Sequence, residues 1–212
     1  MKTKIAVLVS GGGTNLQALI DSQTRGELCS GEIALVVSNS RKAFALERAK
    51  KVGIPTRVLL KKELGGQEGF EKALLETLEE YKIQVIILAG FMSILSGNFT
   101  DRYPRRILNV HPSLIPSFCG EGFYGLRVHE AALQKGVKVT GATVHFVNQI
   151  PDGGEIIAQK AVEILPGDTP EVLQRRVMEN CEWVILPQAV RLFCEGRLRV
   201  EGRIVRIEEE KA

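Results

Sequence analysis

Short apolar runs recur along the chain, each closed by glycine, proline or a small polar residue and followed by a stretch with helical spacing. Ile5 to Val9 is continuously apolar, as expected for a strand buried on both faces of a parallel sheet. Ile33–Val37, Thr56–Leu59, Gln84–Leu88 and a segment around Leu108 continue the series of strands. Helices are expected after Gly13, over Ala43–Lys51, and from Gly65 and Gly66 through Glu79, where Phe70, Leu74, Leu75 and Leu78 share one face. Arg127–Lys135 reads as a helix stopped by Gly136, Val139–Val147 as a cleanly alternating strand, and Ile156–Val162 as a further strand. Thr169 is the expected N-cap of one long helix through about Glu195, opened by Pro170 and Glu171. Gly196, Arg197 and Gly202 punctuate two short terminal strands. Strand–helix alternation of this kind predicts an α/β fold built on a doubly wound, mostly parallel sheet. With no repeats, low-complexity segments or evident linker, residues 1–212 are expected to form one domain.

Composition narrows the function classes. The net charge is only +3, with Lys and Arg interspersed among Asp and Glu, so no nucleic-acid footprint is expected. The basic clusters at 102–106 and 197–206 read as solvated faces. Cys29, Cys119, Cys181 and Cys194 lack metal-ligand spacing, so four free thiols and no metal are expected. The N-terminus runs straight into a strand, unlike a signal peptide, and the longest apolar run, Val85–Leu95, is too short for a bilayer. A cytoplasmic protein without a membrane partner is the expectation.

Two stretches carry candidate chemistry. SGGGTN lies between the first strand and a helix, with Thr14 or Asn15 available as N-cap. Its three glycines let a ligand approach the backbone at the positive end of a helix, which suits a phosphate. A Walker loop would need Gly-Lys-Ser/Thr, and the dinucleotide pattern would need glycine where Leu16 stands; VVSNS at 36–40 also lacks a ribose-binding acid. A monophosphate is favoured over NAD, against the plainer reading of a tight turn with no ligand.

The second stretch is ILNVHPSLIPSFCGEGFYG, residues 107–125. Asn109 and His111, two apart on an extended segment, project to the same side at a strand's carboxyl end, where open α/β sheets bind ligands. On spacing alone, a turn-capping Asn109 and a merely buried His111 are as well supported. Asp152, in a glycine-flanked turn after a strand, can reach the same sheet end, where its carboxylate would raise the histidine pKa. An amide donor facing an oxyanion is typically worth roughly 2.7–4 kcal/mol. The trio suits acyl transfer to an amine; a hydrolase built on Ser113 lacks the GxSxG elbow. His145, alone within a strand, reads as structural. Phe91, Met92, Ile94 and Leu95 read from periodicity as core, although they could line a pocket for a flat ring.

VLVSGGGTNLQALID, LAGFMSIL, ILNVHPSLIPSF, TGATVHFV and DGGEIIAQ stand in the order found in the phosphoribosylglycinamide formyltransferases, a resemblance spanning about Lys4 to Arg199. It implies a Rossmann-like formyltransferase fold and transfer of the formyl group of 10-formyltetrahydrofolate to the amine of glycinamide ribonucleotide, in purine biosynthesis. By this resemblance Asn109, His111 and Asp152 are catalytic, and Gly13, Thr14 and Asn15 hold the ribonucleotide phosphate. Asn109 and protonated His111 are expected to stabilise the oxyanion as the amine attacks, and Asp152 to support the charged imidazole and assist proton transfer. Glu182 resembles an acidic residue near the ribonucleotide. Met92, Ser93, Ile94 and Leu95 line the folate, replacing the core reading, and Asn109 with Asn148, Gln149, Ile150 and Pro151 completes that site. Both partners are small molecules, and the protein is a monomer or homodimer.

Three positions depart from the family pattern. EGFYG at 121–125 resembles an insertion, Gln67 stands where arginine is frequent, and Glu155 stands where proline is frequent. Among the alternatives, a formyltetrahydrofolate hydrolase would carry an N-terminal regulatory domain, whereas the resemblance starts near residue 4. A methionyl-tRNA formyltransferase would need an RNA-binding domain after about residue 200. A catalytically silent phosphate-binding module would have no need of the Asn-His-Asp set.

Overall fold

The computed structural model describes residues 1–209. β1 (Thr3–Val9) is an interior strand of a seven-stranded sheet. It pairs in parallel with β2 (Gly31–Ser38) on one side and β4 (Val85–Leu88) on the other. β3 (Thr56–Val58) extends the first side and β5 (Ile107–His111) the second, both in parallel. β6 (Val139–Phe146) and β7 (Ile156–Glu163) then add as antiparallel strands, giving the order β3-β2-β1-β4-β5-β6-β7. The doubly wound expectation therefore holds for the first five strands. Only β6 runs against the others, pairing antiparallel with both β5 and β7. The short 147–155 turn returns the chain as a hairpin, so that β7 again runs in the direction of β5.

Alternation along β1 divides the core. Ile5, Val7 and Val9 face the layer of α1 (Thr14–Thr24), α2 (Ala45–Lys51), α6 (Pro170–Val177) and α7 (Trp183–Cys194). Ala6 and Leu8 face α3 (Gln67–Glu80) and the short α4 (Gly97–Thr100) through Phe70, Leu74, Leu78 and Phe99. Burial on both faces is why β1 and β4 read as unbroken apolar runs. α5 (Leu126–Lys135) packs beside α6.

The long C-terminal helix expected from Thr169 is two helices. Thr169 does cap α6, its hydroxyl accepting from the Val172 N–H. A π turn at Met178–Glu182 then interrupts the run before α7. One extra residue in the turn rotates α7 relative to α6, and such insertions commonly sit at functional sites. Beyond α7, β8 (Leu198–Glu201) and β9 (Ile204–Ile207) form a separate hairpin whose Leu198, Val200 and Val205 pack on the main core.

Strand order reverses between β1 and β4, so their carboxyl ends open a crevice at the topological switch point. Ser10–Gly13 and Gly90–Ser93 leave the sheet there side by side, joined by the Met92 N–H donating to Ser10 Oγ (2.8 Å). No helix among the described residues is long and apolar enough to cross a membrane.

Candidate active site

The glycine turn is built for close approach. Gly13 is the N-cap residue of α1, in the left-handed region at φ 71°, and no side chain caps the helix. Thr14 and Asn15, expected as caps, are instead inside the first turn. Thr14 Oγ1 lies 3.8 Å from Met178 Sδ, and Asn15 Nδ2 donates to Glu182 Oε2 at 2.7 Å. The first-turn N–H groups are thus left facing the crevice, where an anion satisfies both them and the helix dipole. A β-carbon at Gly13 would strike Ala45 Cβ at 2.5 Å, whereas Gly11 and Gly12 border open space. Arg48 fixes the turn from behind, its Nε donating to the Gly12 carbonyl (2.9 Å).

Glu182, at the end of the π turn, is buried, and desolvation pushes its carboxyl up to about 7 against the opposing hydrogen bond from Asn15. Asn15 Oδ1 is buried with no partner among the described residues. A carboxyl and an unpaired amide oxygen together offer acceptors to hydroxyl or amine groups of a ligand.

Sheet register assembles the polar cluster. The β5–β6 pairing sets Asn109 opposite His145 and His111 opposite Thr143. Asn109 Nδ2 lies 3.2 Å from His145 Nε2. Asp152 reaches between the two imidazoles, Oδ2 at 3.4 Å from His111 Nδ1 and Oδ1 at 3.5 Å from His145 Nε2. Oδ2 also accepts from the Gly120 N–H at 2.8 Å. His111 Nε2 lies 2.9 Å from the Phe118 carbonyl oxygen, so both its ring nitrogens face acceptors. Only the doubly protonated ring satisfies both.

Electrostatics work against that charge. Burial drives the His111 pKa below its usual value of 6.5, and Asp152 with the Phe118 carbonyl offsets this only in part. The net upward shift expected from the sequence is therefore reversed, because the ring is 4 % exposed. For Asp152, burial acts upward, yet His145, His111 and the Gly120 N–H outweigh it and hold the carboxyl below 3.8.

The structure brings Asn109, His111 and Asp152 together as expected, and adds His145, which reads as structural from the sequence alone. Its signal is the partner strand: the residue facing a polar strand-end Asn is itself polar, but the register that pairs them is tertiary. His129 on α5 is also buried, with neither ring nitrogen partnered among the described residues. Burial first, then the charge of His111, pushes it down to about 4.

The expected folate wall divides. Leu95 is core, whereas Met92 and Ile94 are 55 % and 69 % exposed, as apolar groups awaiting a partner would be. They border a cavity of about 400 Å³ with Lys61, Gln67, Ser93 and Ser96. Gln67, where arginine is the family expectation, acts as a latch: its amide donates to the Glu71 carboxylate and to the Ile94 carbonyl (3.0 Å). Glu71 in turn accepts from the Ser96 N–H (2.6 Å) and hydroxyl (2.5 Å). In the 148–151 loop, Asn148 Oδ1 accepts from the Ile150 N–H, Gln149 is held by Asp101 at 2.9 Å, and Ile150 and Pro151 are exposed.

The segment entering the apparent insertion is anchored on the cluster. Phe118 and Gly120 hold His111 and Asp152, and Phe123 packs edge-on against Phe118. All four cysteines are free thiols, and no cluster of three or more His, Cys, Asp or Glu side chains suited to a metal occurs among the described residues.

A family model described as formyl transferase matches residues 3–190. Trifunctional purine biosynthetic protein adenosine-3 of Gallus gallus is 47 % identical over 94 % of this chain and 19 % of its own length. The chain spans about a fifth of the trifunctional relatives it matches. Phosphoribosylglycinamide formyltransferase of Haemophilus influenzae is 41 % identical, with 95 % of this chain and 92 % of that protein covered. The crystal structure of glycinamide ribonucleotide transformylase 1 from Symbiobacterium toebii superposes with a TM-score of 0.92 at 44 % identity, covering 98 % of this chain and 95 % of that one. Matching motifs, sheet topology and near end-to-end coverage agree: this chain belongs to the formyl transferase family.

Proposed function

We propose that the chain, as one formyltransferase domain over residues 1–212, transfers the formyl group of 10-formyltetrahydrofolate to the amine of glycinamide ribonucleotide. The observation that carries this reading is the placement of Asp152 between His111 and His145, beside Asn109, at the sheet end that also carries an uncapped helix N-terminus. The relatives covered nearly end to end bear the names of enzymes of this reaction.

Gly13, Thr14 and Asn15 hold the ribonucleotide phosphate on the free N–H groups of α1, while Glu182 and Asn15 Oδ1 accept from its polar groups. Met92, Ser93 and Ile94 face the folate from one side, and Asn109 with Asn148, Gln149, Ile150 and Pro151 from the other; exposed Met92 and Ile94 gain burial on binding. As the substrate amine bonds to the formyl carbon it loses a proton. Asp152 assists the transfer of that proton and supports the charged imidazole of His111, which helps to hold the developing oxyanion. Asn109 donates to the developing oxyanion. The transferred proton leaves with the folate nitrogen as the C–N bond to the donor breaks, so no protein nucleophile is needed.

The test is an absorbance assay for the folate product, with glycinamide ribonucleotide present and then omitted. Product only in its presence is expected. Equal release without it would mean hydrolysis, and no release with both substrates would mean a binding module.

A further inference from the structure

The carboxylate that links the two imidazoles sits on a backbone that does not hold itself. Asp152 is a non-glycine residue in the left-handed region, at φ 53°. Such a conformation persists only where its surroundings over-determine it. Within the turn the Gly153 N–H donates to the Ile150 carbonyl (2.9 Å) and the Phe146 N–H closes the base onto the Glu155 carbonyl (2.9 Å), while Asp152 itself makes no backbone hydrogen bond among the described residues. Gly154 is pressed so close to the Phe146 carbonyl that a β-carbon would lie 1.8 Å from that oxygen, which fixes the turn's exit but not its tip.

The remaining restraints come from outside. On one side Arg105 grips Glu155 through Nε (3.2 Å) and Nη2 (3.0 Å), using the residue that departs from the proline expected there. On the other, Arg203 Nη2 donates to the carbonyl of Gly153, the residue next to Asp152, at 3.1 Å. Arg203 lies at the tip of the β8–β9 hairpin, outside the main sheet, and the hairpin is docked through Val200 and Val205. A guanidinium on a carbonyl is a charge-assisted bond with a directional donor, suited to fixing a peptide plane.

We propose that Arg203 is a positioning residue for Asp152, and that the terminal hairpin thereby forms part of the formyl-transfer machinery. This rests on the reading of Asp152 as the carboxylate that supports His111. Arg203 is assigned no substrate contact; it fixes the Gly153–Gly154 peptide plane, one residue beyond Asp152, and so steadies the turn tip from which the carboxylate reaches His111 and His145.

Steady-state kinetics on the full chain, with both substrates varied, test this in four variants. Arg203→Ala is expected to lose about fivefold in kcat, a loss in keeping with one charge-assisted hydrogen bond, with KM for each substrate within about twofold. Arg203→Lys, which keeps a donor, is expected to recover most of the loss. Arg199→Ala removes another exposed arginine of the same hairpin, paired with Glu201 and Glu208, and is expected to match the parent. An Arg203→Ala enzyme with parental kcat overturns the proposal, as does an equal loss in Arg199→Ala, which would trace the effect to hairpin stability. Asp152→Asn separates the two levels. If it turns over at the parental rate, the reading of the site itself fails; if it is strongly impaired while Arg203→Ala is not, only the role of Arg203 is lost.

Discussion

Asn109 and His145 face each other across the β5–β6 pair, with Nδ2 and Nε2 3.2 Å apart. His145 Nδ1 lies 2.7 Å from the Phe146 carbonyl oxygen, while Nε2 faces both the Asn109 amide and, at 3.5 Å, Asp152 Oδ1. The Asn109 amide is thus held against a ring that is itself fixed, and this contact orients it at the strand end. A freely rotating amide becomes a fixed donor.

Asn109→Ala is therefore expected to lower kcat by roughly 10²–10³-fold while KM for the ribonucleotide stays near the parental value, the usual result of deleting one oxyanion donor. Steady-state kinetics decide it. A loss confined to KM would place Asn109 in substrate binding only.

His129 makes stability pH-dependent. Its folded pKa of about 4 lies below 6.5, so between those values the unfolded chain binds the additional proton. Its contribution to stability is complete above pH 6.5 and declines as pH falls toward 4, by about 3 kcal/mol in all. Denaturant unfolding at pH 7.5 and 5 should show this decline, and His129→Leu should flatten it. An unchanged slope in the variant would assign the acid sensitivity elsewhere.

Glu182 titrates in the opposite sense. With its carboxyl raised from 4.5 to about 7, the folded chain holds the extra proton, so its contribution weakens as pH rises through that window. Glu182→Gln should melt higher than the parent at pH 8. The same change should raise KM for the ribonucleotide roughly tenfold, the scale of one charged hydrogen bond. A variant that binds normally would make Glu182 structural.

The glycine turn separates folding from binding. Gly13→Ala meets Ala45 at 2.5 Å and an unfavourable φ, so thermal stability should fall with activity. Gly12→Ala meets nothing within 4 Å, so the fold should hold while KM for the ribonucleotide rises. Equal melting temperatures for the two variants would contradict this division.

Much of this protein is legible along the chain. Unbroken apolar runs at Ile5–Val9 and Val85–Leu88 required strands buried on both faces, and glycines at 11–13 before a helix required an approachable backbone. Asn109 and His111 share a side because strand geometry has period 2. These are local facts, decided by spacing and steric allowance. What the tertiary structure alone decided depends on register, direction and burial. The antiparallel register of β5 and β6 brought His145 to Asn109, the π turn brought Glu182 to Asn15, and burial split Leu95 from Met92 and Ile94. Burial reversed the expected shift of His111, since desolvation is set by everything packed around a group and not by its neighbours in sequence.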